Sequence, residues 1–508
     1  MKHILYLLLL CSCTQLLAQN SSPLQIEDKR MDTYLTNRQP ATLTIQIKNL
    51  PDSVKKVNIQ CTMVQLGGNL QTKKYAETNA AGLSKIVLDQ NLPYQQIWLS
   101  VGKYLYAGIY INSGLTVTID AEKLKDGAAY MTGEGIAYSG EDGELNTVMN
   151  KNVLFRKKDK EKLDESLSAL GKLRKTTSED VFLFKVDSIK KALMQIDEEF
   201  ISGFPNYGWA VRNESMSGLY GNLSVCYWDD KMPDRLFNEI SDHKPYFTSN
   251  DGALFYQYLQ IYSSNAKYGT KEKGLPGTLM LLDSLYTPQK SDVIKLFLLD
   301  TYKDNFANSY SSIINSIRTK WCKAIANNEL AKAVLNQKKV DSLFAVSKKL
   351  ETTDIGKPLM KLPFGADLYQ VEEQTNADDF LFSLKAKFPK RALIIDIWAT
   401  WCGPCLADLP SSKSLHEQNK DLPIDYVYLC TTDGSNIDLW KKKVAEMQVS
   451  GTHVFIDEKV LAKLRTTLRA EGGFPTYVVI DSNGKVNSKS ITHMGSLNRE
   501  SLKKVVGL

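Results

Sequence analysis

The spacing of apolar and polar positions changes twice along the chain. From about 25 to 120 the period is two. Leu43, Ile45 and Ile47 alternate with Thr44, Gln46 and Lys48, the pattern of a strand that buries one face. Similar short runs follow at 57–64, 84–88, 97–101 and 115–119. Turn residues separate several of them, at Gly67-Gly68, Asn79 to Gly82 and Asn112 to Gly114. Many short strands with this punctuation predict a β-sandwich. From about 141 to 350 the period becomes helical. Leu163, Leu167 and Leu170 share a face, as do Ile189, Leu193, Ile196 and Phe200 at spacings of four, three and four. Val340, Leu343, Phe344 and Leu350 repeat the pattern, and the aromatics between Tyr207 and Tyr310 read as packing between helices.

Near 356–363 the pattern relaxes, with Pro358 and Pro363 close together. Beyond it, strands are expected at 392–398, 424–430, 453–456 and 476–481. Helices are expected between them at 406–419, 436–447 and 459–469. The Ser482-Asn483-Gly484 turn, a closing strand at 485–491 and a last helix at 497–506 complete the run. Such alternation calls for a mixed sheet with helices on both faces. The expected organisation is multidomain: a β-sandwich over 19–135, an α-helical domain over 136–355 and an α/β domain over 356–508.

At 508 residues the chain is too long for one core. A formal charge of +6 with no long basic block gives no case for nucleic acid, and the five histidines form no metal-ligand pattern. The first residues read as an export signal, 1–18. Met1-Lys2-His3 is a short basic region, Ile4 to Leu10 an apolar run, and Leu16-Leu17-Ala18 leads to a cleavage point before Gln19. Leu10-Cys11-Ser12-Cys13 also faintly resembles a lipobox, which would acylate Cys13 and anchor the chain to a membrane. Both routes stay open, and both deliver the protein to the periplasm or cell envelope. After cleavage at Ala18, Cys61, Cys226, Cys322 and Cys430 would remain beside the pair Cys402 and Cys405. Six cysteines in so long a chain are no disulfide scaffold. Cys226 and Cys322 have either a bridge or two separate thiols open to them.

The sharpest chemical signal is Trp398-Ala399-Thr400-Trp401-Cys402-Gly403-Pro404-Cys405. Two thiols at this spacing can close a disulfide or open one. The expected strand before them and helix after them put Cys402 at a helix N-terminus, where unpaired N–H groups and the dipole favour a thiolate. Structural zinc would need two more ligands, and no second CxxC or CxxH exists. Cys402 is the expected attacking thiol, because exchange passes through a mixed disulfide that must be reachable. Cys405, a turn further in, would resolve that intermediate. Asp396, among Ile394, Ile395 and Ile397, should be buried with a raised pKa and so accept a proton near neutral pH.

Around this pair, residues from about 356 to 508 resemble the thioredoxin fold, and more narrowly the TlpA/ResA-type envelope thiol–disulfide oxidoreductases. The likeness rests on the CGPC motif and its Trp398-Ala399-Thr400-Trp401 lead-in. It also rests on Asp396 six residues before Cys402, Pro410 five after Cys405, and Phe474-Pro475-Thr476-Tyr477. The order of β, helical and thioredoxin-like parts also resembles long TlpA-like proteins of Bacteroidetes-type bacteria. The resemblance implies a buried acid at Asp396, a helix kink at Pro410 and a cis proline at Pro475 that faces the disulfide. Trp401, Gly403, Pro404, Phe474, Pro475 and Thr476 would then meet the substrate, an extended segment adding along the Pro475 edge. It also implies a further Glu close to the pair, which the sequence does not place.

Thioredoxin and DsbA differ by about 150 mV, roughly 7 kcal/mol for two electrons. CGPC is the thioredoxin type, so the resemblance implies a reductase of envelope-protein disulfides, haem-binding CxxCH segments of apocytochrome c among them. Its redox centre would be the Cys402–Cys405 disulfide, without another cofactor or a metal. Its electrons would come from a membrane donor of the CcdA or DsbD type. The alternatives are an envelope disulfide oxidase or isomerase, and a partner-binding protein with an accessory redox domain.

Overall fold

The computed structural model describes residues 22–37, 39–67, 72–88, 92–125, 129–265, 270–350, 355–470 and 472–508. The expected export signal, with Cys11 and Cys13, lies outside them. The chain divides into two compact units, Met1–Asn328 and Glu329–Leu508.

The first unit opens with a sandwich. One sheet has the order β4-β1-β7-β9 and the other β3-β2-β5-β6-β8. The strands are β1 (Ala41–Lys48), β2 (Asn58–Met63), β3 (Thr72–Glu77), β4 (Leu83–Leu88), β5 (Gln95–Val101), β6 (Leu105–Ile111), β7 (Gly114–Asp120), β8 (Ala129–Tyr130) and β9 (Ile136–Ser139). Leu43, Ile45 and Ile47 of β1 point inward and meet Ile59, Cys61, Ile97, Leu99 and Ile109 of the other sheet in one core. Truncating any of the large aliphatic side chains among them to alanine would cost about 2–5 kcal/mol. Strand β9 pairs with β7, so the β part runs past 135 to Ser139. The polar strand β3 and the unalternating β6 carry no period-two signal in the sequence.

Helices follow, beginning with Gly143–Thr176, Glu179–Ile201, Gly208–Cys226 and Asp234–Asp242. Asn250–Ser263, Thr270–Leu285, Pro288–Thr301, Phe306–Ser316 and Lys320–Ala345 continue them, the last crossing the division between units. On Glu179–Ile201 the residues Ile189, Leu193 and Phe200 are buried as expected. The remaining inward position belongs to Asp197, and Ile196 is only half-buried. Aromatics do pack helix on helix, as where Phe237 of Asp234–Asp242 meets Tyr262 of Asn250–Ser263 at 6.1 Å; Phe247, between those two helices, stacks on Trp209 at 5.6 Å and meets Tyr110 of β6 at 4.8 Å. Sandwich and helices fall in one compact unit, except for the end of the last helix. Cys226 and Cys322 are free thiols.

The second unit has one sheet of order β10-β11-β14-β13-β12-β15-β16. Its strands are β10 (Lys357–Leu362), β11 (Ala366–Val371), β12 (Ala392–Trp398), β13 (Ile424–Thr431), β14 (Gly451–Ile456), β15 (Thr476–Ile480) and β16 (Val486–Asn487). β11, β14, β13 and β12 run parallel, and β15 runs antiparallel to β12. Every residue of β12 is buried, as a central strand covered on both faces requires. Ala392, Ile394 and Trp398 face one core layer, and Leu393, Ile395 and Ile397 the other. The helices are Ala377–Lys387, Gly403–Gln418, Ile437–Met447, Glu458–Thr467 and Arg499–Val506. Asn376, Asn436, Asp457 and Asn498 cap four of them through side-chain oxygens, each worth about 1 kcal/mol. The closing strand expected over 485–491 is corrected to Val486–Asn487, the only described residues there that pair with β15.

Candidate active site

Strand β12 ends at Trp398, and the helix Gly403–Gln418 starts five residues later. Cys402 is its N-cap, with Pro404 in the first turn, where a missing N–H costs nothing. Cys402 and Cys405 form a disulfide across a Cα–Cα distance of 5.3 Å. The Cys405 N–H donates to Cys402 Sγ at 3.2 Å, the contact a thiolate would keep after reduction. The difference in exposure expected of the two is small: 4% of Cys402 and 2% of Cys405 is accessible. The exposed surface here belongs to Trp401, at 54%, and to Pro404.

Asp396 is buried in mid-strand, in register with Tyr428 of β13 and Tyr477 of β15. Strand alternation puts it on the same face as Ile394 and Trp398, the layer that also holds Cys402 and Cys405. Its Oδ1 has no hydrogen-bond partner among the described residues. Burial, then the charge of Asp408, push its pKa well above the usual carboxylate range.

A second buried acid, Asp408, acts on Asp396 through its charge; it is an aspartate, where the resemblance implies a glutamate. It lies three residues after Cys405, hence on the same helix face, and that offset was its one sequence signal. It is buried. Its Oδ2 accepts from Tyr477 Oη at 2.6 Å and from Met494 N at 2.7 Å, and its Oδ1 from Gly495 N at 3.3 Å. Burial first, then the charges of Asp396 and Asp408, raise the Tyr477 phenol.

The Phe474–Pro475 peptide is cis. Phe474 meets the Trp401 ring edge-on at 5.6 Å, and the Arg465 guanidinium lies over Phe474 at 5.1 Å. Arg465 also donates from Nε to the Ala470 carbonyl at 2.9 Å and from Nη2 to the Gly472 carbonyl. Thr476 Oγ1 donates to the Gly473 carbonyl. Gly403, Phe474, Pro475 and Thr476 are all half-buried. Pro410 stands inside the helix, where it has no N–H to offer the Leu406 carbonyl.

Cys430 is buried and its thiol is raised by burial. His453 is buried against Tyr428, with its pKa lowered to about 4 by burial, whereas His493 is exposed. No group of three or more potential metal ligands, and no helix long and apolar enough to cross a membrane, occurs among the described residues.

Residues 357–506 match the Redoxin family model. No curated protein matches the chain. Among solved structures, it is similar to the thioredoxin domain of a thiol-disulfide oxidoreductase from Bacteroides vulgatus. The identity is 20% over 24% of this chain and 81% of that one, with a TM-score of 0.20. A thioredoxin-family thiol:disulfide interchange protein from Chlorobium tepidum is 17% identical over 24% and 82%, with a TM-score of 0.21. A secreted Mycobacterium tuberculosis disulfide oxidoreductase homologous to E. coli DsbE is 16% identical over 24% and 84%, with a TM-score of 0.20. The chain therefore carries a C-terminal α/β domain that matches the Redoxin family over 357–506, preceded by β sheets and a helical region.

Proposed function

We propose that this protein is a thiol–disulfide oxidoreductase that is exported and works as a reductase of disulfides in cell-envelope proteins, apocytochrome c segments among them. The observation that carries the reading is a CGPC disulfide at a helix N-terminus with the buried acid Asp396, its Oδ1 unpartnered, on the same core face.

In the reduced enzyme the Cys402 thiolate attacks one sulfur of the substrate disulfide. A Cys402–substrate bond forms, and the substrate's other sulfur leaves as a thiolate that takes up a proton. Cys405 then gives its proton to Asp396, in the fraction of molecules whose carboxyl is ionised, and attacks the Cys402 sulfur. The enzyme disulfide closes and the second substrate thiol is released. Two electrons pass to the substrate, and a membrane donor of the CcdA or DsbD type returns them to the enzyme. The backbone edge at Pro475 and Thr476 pairs with the extended substrate, while Trp401, Gly403, Pro404 and Phe474 form its contact surface. Export by the leader, cleaved either before Gln19 or before an acylated Cys13 that then anchors the chain, puts this chemistry in the envelope.

Cys405→Ser tests the reading, because it leaves Cys402 able to attack and removes the resolving thiol. Envelope proteins should then be captured on Cys402 as reductant-sensitive mixed disulfides. A reduction potential near the roughly −270 mV of thioredoxin is expected for the isolated pair. A potential near about −120 mV would overturn the reductase direction, and an absence of mixed disulfides would overturn the enzymatic role.

A further inference from the structure

Both residues that precede Cys402 are tied to a single loop, 431–436, which runs from the last residue of β13 to the helix Ile437–Met447. The Trp401 Nε1–H donates to the Asp433 carbonyl at 2.8 Å. The Thr400 N–H and Oγ1–H both reach Ser435 Oγ, at 3.3 and 2.9 Å. The loop is itself held. Asp433 N donates to Thr431 Oγ1 at 3.1 Å, Ser435 N to the Thr432 carbonyl at 3.2 Å, and Thr432 N to the Ile456 carbonyl at 3.0 Å.

Gly434 has φ of 62°. A Cβ there would stand 2.7 Å from Trp401 Nε1 and 3.0 Å from Cδ1, so any side chain would drive the indole off its carbonyl. Trp401 is 54% exposed, and little burial fixes its rotamer. One hydrogen bond and the edge contact with Phe474 must supply what burial does not. The indole thus spans two loops, 431–436 and the one that carries Pro475.

We propose that loop 431–436 is a positioning element for protein substrates, in which Gly434 and Ser435 set the Trp401 indole as a docking face beside the Cys402–Cys405 disulfide. This rests on the thiol–disulfide exchange reading above. A folded or extended polypeptide spans the disulfide and the indole together, whereas a small aromatic disulfide needs only the sulfur. The loop therefore acts on KM for protein disulfides more than on kcat.

The test uses the full chain, with dithiothreitol as electron source and two oxidised substrates, insulin and 5,5′-dithiobis(2-nitrobenzoate). Gly434→Ala should lower the insulin-to-small-disulfide ratio of kcat/KM about fivefold, the worth of one neutral hydrogen bond, and should do so through KM. In the Trp401→Phe background, which has no indole N–H to lose, the same substitution should add little. If Gly434→Ala fails to fold, Ser435→Ala carries the test: it should lower the ratio, and Ser435→Thr should restore it. Equal losses with both substrates, an unchanged insulin KM, or full additivity with Trp401→Phe would overturn the positioning role. Absence of exchange by the wild-type chain with either substrate would overturn the exchange reading, and this inference with it.

Discussion

Replacing Asp396 by asparagine separates a buried proton carrier from a buried spacer. The parent carboxyl is covered on all sides, leaves Oδ1 without a partner, and has its pKa raised by burial and by Asp408. In the unfolded chain the same group ionises near about 3.9. Between that value and the raised one, the folded state holds one proton more than the unfolded state. Stability therefore falls as pH rises across that window, by about 1.4 kcal/mol per pH unit, and stops falling above the folded pKa. The amide introduced by Asp396→Asn does not titrate. It is a buried polar group without a partner, at a fixed cost of about 1–3 kcal/mol. The diagnostic is thus the slope: relative to Asp396→Asn, the parent should lose stability steadily as pH is raised from about 4. Denaturant titrations of the oxidised chain at about pH 5, 6, 7 and 8, followed by near-UV circular dichroism, measure it. For a unit of this size each kcal/mol is about 2–4 °C in Tm. In exchange, loss of a positioned base slows the Cys405 step by about 10²-fold or more, so acid-quenched single turnovers with insulin should show the Cys402 mixed disulfide accumulating. Parallel stability slopes would refute the buried, protonated acid. Unchanged turnover and an unchanged pH profile would refute its part in proton transfer.

Asp408→Ala removes the acceptor for Tyr477, Met494 and Gly495. It should cost about 3 kcal/mol and, by removing a neighbouring negative charge, move the Asp396-dependent pH window downward; urea midpoints across pH measure both. Arg465→Lys keeps the charge but cannot span the Ala470 and Gly472 carbonyls while stacking on Phe474. Limited proteolysis near 470–475 should become faster. In the first unit, burial pushes Asp197 up to about 6 against the opposing effects of Arg156 and Ser215. Stability there should fall as pH rises from about 4 through about 6, and Asp197→Asn should flatten that fall in urea titrations at about pH 4 and pH 7.

Strand β12 was legible to the residue because a central strand is apolar on both faces, and 392–398 departs from that only at Asp396. Strand β3 was not, because TKKYAE lies at a sheet edge where both faces tolerate polar side chains. The β10–β11 hairpin was hidden by Pro358 and Pro363, which read as a domain boundary, although β10 accommodates Pro358 at the outer edge of its sheet. Period alone put Ile196 inward on its helix, but the inward place went to Asp197, whose partners Ser215 and Arg156 come from other helices. The site divides the same way. Cys402, Cys405, Trp401 and Pro475 sit in short motifs, and Asp396 announces itself as a charge in an apolar run. Asp408, Gly434, Ser435 and Arg465 acquire their roles through contacts outside any motif, across sequence separations as long as 87 residues for Asp408–Gly495 and 32 for Trp401–Asp433. No local pattern encodes those.

The two buried acids show why position matters more than residue type here. Asp408 lies one turn past Cys405, where Tyr477 and the Met494–Gly495 turn bring three donors to its oxygens, so its charge is met by the protein. Asp396 lies in a central strand whose own N–H groups are committed to the sheet, and its neighbours in register are Tyr428 and Tyr477. With no donor on Oδ1, desolvation sets its state, and the charge on Asp408 adds to the push. In such a pair one acid is held by donors, and the other, stripped of them, is the proton carrier. Asp408 thus acts on exchange through Asp396, and its removal should change the pH dependence of the Cys405 step only while residue 396 can still titrate.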